Sequence, residues 1–353
     1  MRAELHLHIG ALKTGTSAIQ AWLDDSVKLL SDHGYYHPQS CISSKCGDTV
    51  LMYGGNTRLS SLIFKTLHNF EDTRPERYLE ELMEKASARC LLLSAETFSA
   101  VSPEFLKRFA AVCHRCSVRA DITFFIRDLY PFFYSLYNQT CKRRFYGYSF
   151  RDFVIEKKEV TKYIYPDSKY FYCDPLETER LYAECPFVRK INIIHYDAIK
   201  SRGAVAAFAD ILSLSLSLSS QHYKRANLSL APAQLEVYRR VIKAMHTLSY
   251  SENLIGAVAS LLEKVYLVKL PGICWRSEGI PYYDDIYDYL EEKYADSIRR
   301  FNDKYGIALA VLNKKENVIP VSADAEKVYD ELCQQILRDI AMMLEESAQR
   351  GKA

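Results

Sequence analysis

The stretch Leu5-His6-Leu7-His8-Ile9-Gly10-Ala11-Leu12-Lys13-Thr14-Gly15-Thr16-Ser17 constrains this chain more than any other. A short apolar run opens into a glycine-bounded loop carrying one lysine and three hydroxyls. The loop runs into Ile19, Trp22, Leu23, Val27 and Leu30, apolar residues at helical spacing. The order is strand, loop, helix, with His6 and His8 belonging to the strand. Such a turn presents backbone N–H groups at a helix start, where the dipole favours negative charge, so the loop is suited to holding a phosphate. Gly10 and Gly15 let the backbone bend closely around the anion.

The Walker pattern G-x-x-x-x-G-K-[ST] is met at Gly10 and Gly15, but Thr16 stands where its lysine belongs, followed by Ser17. The lysine lies three residues earlier, at Lys13. A nucleoside triphosphatase would lack its phosphate-bridging charge at the usual place.

The rest of the chain sets limits on partners and compartment. Its 353 residues, 48% of them hydrophobic, suit one large domain or a core with an added subdomain. With 46 Lys and Arg against 44 acidic residues, the net charge of +2 gives no basis for general nucleic-acid binding, so an anion site must be local. No run approaches the roughly 18 apolar residues of a membrane span, and Met1-Arg2-Ala3-Glu4 leads into a strand rather than a signal sequence. Ten scattered cysteines suit a reducing cytosol. Cys113-His114-Arg115-Cys116 has C-x-x-C spacing without a second pair, which reads as ordinary partly buried thiols rather than a metal or redox site.

Along the chain, the segment from His33 through Asn56 is irregular and rich in polar and aromatic groups, with His37 its most interesting member. Residues 59–71 and 75–88 have helical patterns. Cys90 to Ala95 is an apolar run of strand length, ending in Glu96 and Thr97. Parallel sheets place ligands beyond the carboxyl ends of their strands, where Glu96 emerges. A third strand, Ala120 to Ile126, ends in Arg127-Asp128, and a helical pattern over Leu129 to Lys142 carries Ser135 eight residues after Arg127. Arg127 offers planar bidentate donors and Ser135 a short hydroxyl, both suited to a phosphate dianion. Asp128 suits a role in orienting Arg127 or capping the helix. Lys142, Arg143 and Arg144 read as a solvated helix end.

Further on, residues 150–158 and 174–184 are helical, flanking the tyrosine-rich loop from Tyr163 to Tyr172, and Val188 to Tyr196 is a strand with Asp197 at its end. A helix at 203–213 precedes alternating leucine and serine to Ser220, then the basic Lys224-Arg225. From Pro232 the pattern is helical over 232–247, 252–269, 284–305 and 323–348, the last with Val328, Leu332, Ile336, Ile340 and Leu344 on one face. These patterns predict an α/β protein, a parallel central sheet flanked by helices over residues 1–230, and a helical C-terminal region over 231–353 packed on that core.

Lys13-Thr14-Gly15-Thr16-Ser17 resembles the 5′-phosphosulfate loop of sulfotransferases. Arg127 and Ser135 match the spacing with which those enzymes hold a 3′-phosphate, although Leu129 stands where the family often has proline. The chain is most similar to bacterial carbohydrate sulfotransferases, with their P-loop-type fold, over residues 1–230. The resemblance implies transfer of a sulfuryl group from 3′-phosphoadenosine 5′-phosphosulfate (PAPS) to an acceptor hydroxyl, carbohydrate by family, with release of adenosine 3′,5′-bisphosphate. It implies that Lys13 sits by the bridging oxygen, that Gly10, Thr14, Gly15, Thr16 and Ser17 hold the 5′-phosphate, and that Arg127 and Ser135 hold the 3′-phosphate. Lys224 and Arg225 correspond to a late basic loop. Glu96 is then the base that activates the hydroxyl, with His37 in reserve, and no metal is needed. Two rivals stand beside this: an ATP- and magnesium-dependent kinase, which expects a lysine at position 16, and a nucleotide-binding adaptor without activity.

Overall fold

Parallel strands covered on both faces need near-continuous apolar runs, and the stretches 91–95 and 122–126 of the central sheet come closest to that demand, buried at every position. The computed structural model describes residues 4–10, 14–38, 74–87, 89–144, 147–155, 174–215, 230–263, 280–313, 318–320 and 323–350. The sheet contains β1 (Glu4–Gly10), β2 (Tyr35–Tyr36), β3 (Cys90–Ala95), β4 (Arg119–Ile126) and β5 (Val188–His195), in the order β2-β3-β1-β4-β5, with every pair parallel. Strand β1 is central, and the chain continues to opposite sides of it, so its carboxyl end is a topological switch point of the kind where α/β sheets bind ligands.

The chain divides into two compact units. The first comprises residues 1–129, 165–227 and 294–310, and the second residues 130–164, 228–293 and 311–353. In the first unit the loop feeds α1 (Thr16–Asp25), followed by α2 (Val27–Asp32), and α3 (Arg74–Ala86) and α4 (Pro103–Arg115) flank β3 in sequence. Ser102 caps α4 by accepting from the Phe105 N–H at 3.0 Å, with proline at its first helical position. Helix α1 buries Ile19, Trp22 and Leu23 in one cluster with Leu92, Phe125, Ala204, Ala207 and Phe208. The last three lie on α8 (Ala204–Ile211), which follows β5.

The second unit takes all of α5 (Leu129–Arg144) except its first residue, together with α6 (Phe150–Ile155). The rings of Tyr130, Tyr134 and Tyr137 meet Phe150 at 5.2 to 5.6 Å between centroids. The Tyr130 hydroxyl donates to Pro281 O and accepts from the Tyr283 N–H, fixing a short parallel pair, β6 (Ile280–Tyr282) with β7 (Val318–Pro320). Helix α9 (Pro232–Thr247) packs on α12 (Ala323–Arg350), and Arg240 bridges Glu236 and Asp330. Helix α7 (Pro175–Ala183) belongs to the first unit, α10 (Glu252–Leu261) to the second, and α11 (Asp284–Tyr305) runs through both.

Helices expected at 75–88, 174–184, 203–213, 232–247 and 284–305 thus form within a few residues of those bounds. The expected 59–71 helix, the Tyr163 to Tyr172 loop, and Lys224 and Arg225 lie outside the described residues. Among the described cysteines, Cys113 and Cys116 are free thiols, and burial pushes Cys113 up to about 12, which suits packing rather than reactivity. No helix among the described residues is long and apolar enough to cross a membrane.

Two polar residues interrupt the buried face of β1. His6 bonds Thr123 Oγ1 at 2.8 Å, and His8 bonds Ser94 Oγ at 2.7 Å, each reaching a neighbouring strand. Burial pulls His6 down to about 4, with Asp121 opposing it, and pulls His8 down to about 3, with the neighbouring His6 adding to the effect. Both rings are neutral in the folded protein and gain protons more readily when unfolded. The unfolded chain therefore binds more protons below about pH 6.5, so stability is full above that value and is lost as pH falls toward 4. Urea titrations from pH 7.5 to 4.5 are expected to show this loss, and His6→Gln, which keeps a polar partner for Thr123 but cannot titrate, should flatten it. An unchanged pH slope in that variant would contradict the assignment.

Candidate functional site

Three strand ends meet at the switch point. Ile9 pairs with Ala95 and Gly10 with Phe125, so the loop after β1, Glu96 after β3 and Arg127 after β4 leave the sheet at the same edge. Neighbouring strands lie about 4.8 Å apart. Glu96 opens a short 3-10 helix, Glu96–Ala100, and is half-buried.

The loop is shaped by two glycines with different roles. Gly15 has φ of +83° and caps α1, its carbonyl accepting from Ala18 and Ile19 at 3.0 and 3.1 Å. A Cβ there would lie 2.7 Å from the Ala204 methyl and 3.4 Å from the Tyr196 ring. At Gly10 a Cβ would collide with Thr16 Oγ1 and lie 3.5 Å from His8 Nε2. Both positions thus need glycine for room, and Gly15 for its left-handed backbone as well. Thr14 and Thr16 are buried, while Ser17 is exposed at the helix start. Thr16 Oγ1 is buried and has no partner among the described residues, so the cradle holds a polar atom suited to an oxygen-rich ligand. The first N–H groups of α1 have no acceptor within the helix, which gives the same spot the donors an anion needs. Lys13 lies outside the described residues.

Arg127 also lies against Tyr196. Its guanidinium carbon sits 5.5 Å from the centre of the Tyr196 ring, and Nη2 donates to Asp197 Oδ1 at 3.2 Å. Asp197 Oδ1 also takes Lys200 Nζ at 2.9 Å, and Oδ2 accepts the Asp128 N–H at 2.8 Å. Burial alone would raise the Asp197 carboxyl, yet Arg127, Lys200 and the Asp128 amide outweigh it and hold the group below the usual range. Asp128, fully buried, accepts from His195 Nε2 at 3.0 Å and from the Ala310 N–H at 2.9 Å. One ligand atom from each of Asp128, His195 and Asp197 lies within 4.8 Å of the others, a spacing a metal ion could use. Both Asp197 oxygens are engaged by Arg127, Lys200 and the Asp128 amide, and Asp128 Oδ1 by His195 and the Ala310 amide, while Asp128 Oδ2 is buried without a partner among the described residues.

The structure therefore brings Gly10, Gly15, Thr16, Glu96 and Arg127 to one edge of the first unit. Ser135 is half-buried on the part of α5 that belongs to the second unit. His37 is buried away from this edge, its Nδ1 facing Leu92 O at 3.3 Å and its Nε2 facing Asp24 Oδ1 at 3.0 Å. Asp128 orients its neighbour indirectly, through the Asp197 carboxylate that its amide shares with Arg127. The part played by Asp197, His195 and Ala310 was not legible from spacing, because residue 310 is far from residue 128 in sequence. Asp197 at the end of an apolar strand was the one available signal.

No family model matches the chain, and no curated protein matches it. Among solved structures the chain is similar to the crystal structure of a sulfotransferase from Alicyclobacillus acidocaldarius. The two share 13% identity with a TM-score of 0.45, over 88% of this chain and 98% of that one. No function follows from a likeness at that level.

The tight packing at Gly15 gives a direct check on the loop geometry. Gly15→Ala is expected to lower unfolding stability by about 2 kcal/mol, read as a reduced urea midpoint with an unchanged slope. A midpoint equal to that of the unaltered protein would mean that the left-handed turn beside Ala204 is not formed.

Proposed function

We propose that this chain is a sulfotransferase that moves a sulfuryl group from PAPS to an acceptor hydroxyl and releases adenosine 3′,5′-bisphosphate. The observation that carries the reading is the convergence of two elements suited to anions at one end of the sheet: the glycine turn at the start of α1, and Arg127, each lying against the Tyr196 ring. The sulfotransferase-like Lys-Thr-Gly-Thr-Ser sequence supports assigning the turn to a 5′-phosphosulfate.

In this reading Thr14, Gly15, Thr16 and Ser17 hold the 5′-phosphate by backbone and hydroxyl donors. Lys13 supplies positive charge to the bridging oxygen as its bond to sulfur breaks. Arg127, oriented by Asp197, binds the 3′-phosphate and sets the preference for PAPS over nucleotides that lack it. Ser135 is assigned to the same phosphate on its sequence spacing from Arg127 alone. Glu96 takes the proton of the acceptor hydroxyl. Its place beside the loop supports that role, whereas both ring nitrogens of His37 are taken up by Leu92 O and Asp24 Oδ1. The scheme uses lysine, arginine and amide donors for its electrostatics and routes no step through a metal. The acceptor is assigned to the carbohydrates, and the protein to the cytoplasm, on the resemblance and on the free thiols.

Two variants test the scheme. Arg127→Ala should weaken adenosine 3′,5′-bisphosphate by roughly 10- to 100-fold, the worth of a charged hydrogen-bonded contact, measured by isothermal titration; unchanged affinity would remove Arg127 from the site. Glu96→Gln should bind the bisphosphate normally yet transfer sulfate about 100-fold more slowly, and full transfer activity in that variant would take the base role away from Glu96.

A further inference from the structure

The buried face of β1 carries a second group that points at the loop. His8 is fully buried, with no exposed surface, and its two ring nitrogens have different surroundings. Nδ1 lies 2.7 Å from Ser94 Oγ, on the strand paired beside it in register. Nε2 has no partner among the described residues, and it lies 3.5 Å from where a Cβ at Gly10 would stand, a point crowded by Thr16 Oγ1 and 3.1 Å from Thr14 Oγ1. Thr16 Oγ1 is likewise buried without a partner among the described residues. The ring itself is fixed, meeting Phe125 edge-on at 5.1 Å and Phe208 at 5.0 Å between centroids.

The tautomer depends on Ser94 and on what lies beside Nε2. That side chain is buried, and among the described residues its hydroxyl has a single partner, His8 Nδ1. If Nδ1 carried the proton and donated to Ser94, the hydroxyl proton of Ser94 would be left without an acceptor in a dry interior. With Ser94 donating to Nδ1 the ring proton sits on Nε2, and the orphan donor becomes the Nε2–H instead; the two tautomers are even in the empty site, and an anion beside Nε2 favours the second by accepting from it. An N–H buried without an acceptor costs about 1 to 3 kcal/mol, and so does the neighbouring hydroxyl of Thr16. Two such donors close to one point at a helix N-terminus are what a phosphate oxygen would satisfy.

We propose that His8 is a binding residue for the donor nucleotide: its Nε2–H, together with the Thr16 hydroxyl, donates to a non-bridging oxygen of the 5′-phosphate. Ser94 is the positioning residue that holds the proton on Nε2. The inference rests on the sulfotransferase reading for the identity of the ligand, but its core is an anion held by a neutral histidine. Burial pulls the ring down to about 3 before any anion arrives, so the site is prepared with a neutral imidazole. Its contribution is direction: a fixed N–H that rewards a tetrahedral oxyanion seated close above Gly10.

The test is nitrogen NMR on the full chain labelled at its histidines, with adenosine 3′,5′-bisphosphate and, separately, inorganic pyrophosphate as probes. With the bisphosphate bound, His8 is expected as the Nε2–H tautomer, and that resonance should shift as the site saturates. Ser94→Ala should redistribute the tautomer and weaken the bisphosphate by threefold or more, and His8→Leu by tenfold or more, while His8→Gln, which can present an N–H at the same point, should recover most of the loss. If the bisphosphate binds and the Nε2 resonance does not move, the proposal is wrong and the sulfotransferase reading stands. If the bisphosphate fails to bind but pyrophosphate shifts Nε2, the histidine contact stands and the PAPS reading falls. If neither probe shifts it, or the ring is the Nδ1–H tautomer with the bisphosphate bound, His8 serves only the core.

Discussion

The close approach of Gly15 to Ala204 is the contact on which the rest of the site depends. A loop can cradle an anion only if its amides are aimed before the ligand arrives, since orienting them on binding would use up the interaction energy. Here α1 is fixed by burying Ile19, Trp22 and Leu23 against β3, β4 and α8, and the first residue of α8 presses its methyl against the glycine that starts α1. The left-handed backbone at Gly15 lets this happen without a side chain intervening. Core packing and loop geometry are one constraint, and the neutral histidines of β1 lie directly beneath it.

Arg127 is prepared in the same sense by a different device. An arginine that is only 10% exposed needs a counter-charge, and Asp197, 5% exposed, supplies it together with a hydrogen bond. The carboxylate is shared with Lys200 and the Asp128 amide, and Asp128 is in turn tied to His195 and to the backbone at Ala310. Asp197 answers the charge of the guanidinium and has both oxygens engaged, so the guanidinium is restrained, while Asp128 Oδ2 is left buried without a partner among the described residues. Tyr196 completes the arrangement by giving Arg127 and Gly15 a common wall.

Much of the first unit could be read directly from the sequence, for physical reasons that differ by element. The runs at 90–95 and 119–126 are strands because they are too short for a buried helix and are buried along most of their length, whereas 188–195, of mixed polarity and only partly buried, is held by its pairing with 120–126. The glycine spacing at 10 and 15 announces a turn that only glycine tolerates. The order of strands in the sheet follows from the observed pairing rather than from periodicity, which carries no information about neighbours. His6 and His8 were legible as strand residues, but what they do depends on Thr123 and Ser94, residues on other strands that register alone brings opposite them. The same holds for Asp197 and Ala310, whose roles exist only through long-range contacts. Helical patterns in the C-terminal half predicted helices well, yet not that residues 294–310 would join the first unit while their neighbours join the second.

In the proposed function the displaced lysine and Arg127 together define a site for a nucleotide bearing a 3′-phosphate. Competition calorimetry measures this most directly, comparing adenosine 3′,5′-bisphosphate, adenosine 5′-monophosphate and ATP with magnesium on the unaltered protein. The bisphosphate is expected to bind at least tenfold more tightly than either competitor. Equal affinity for the bisphosphate and the monophosphate, or a preference for ATP with magnesium, would contradict it.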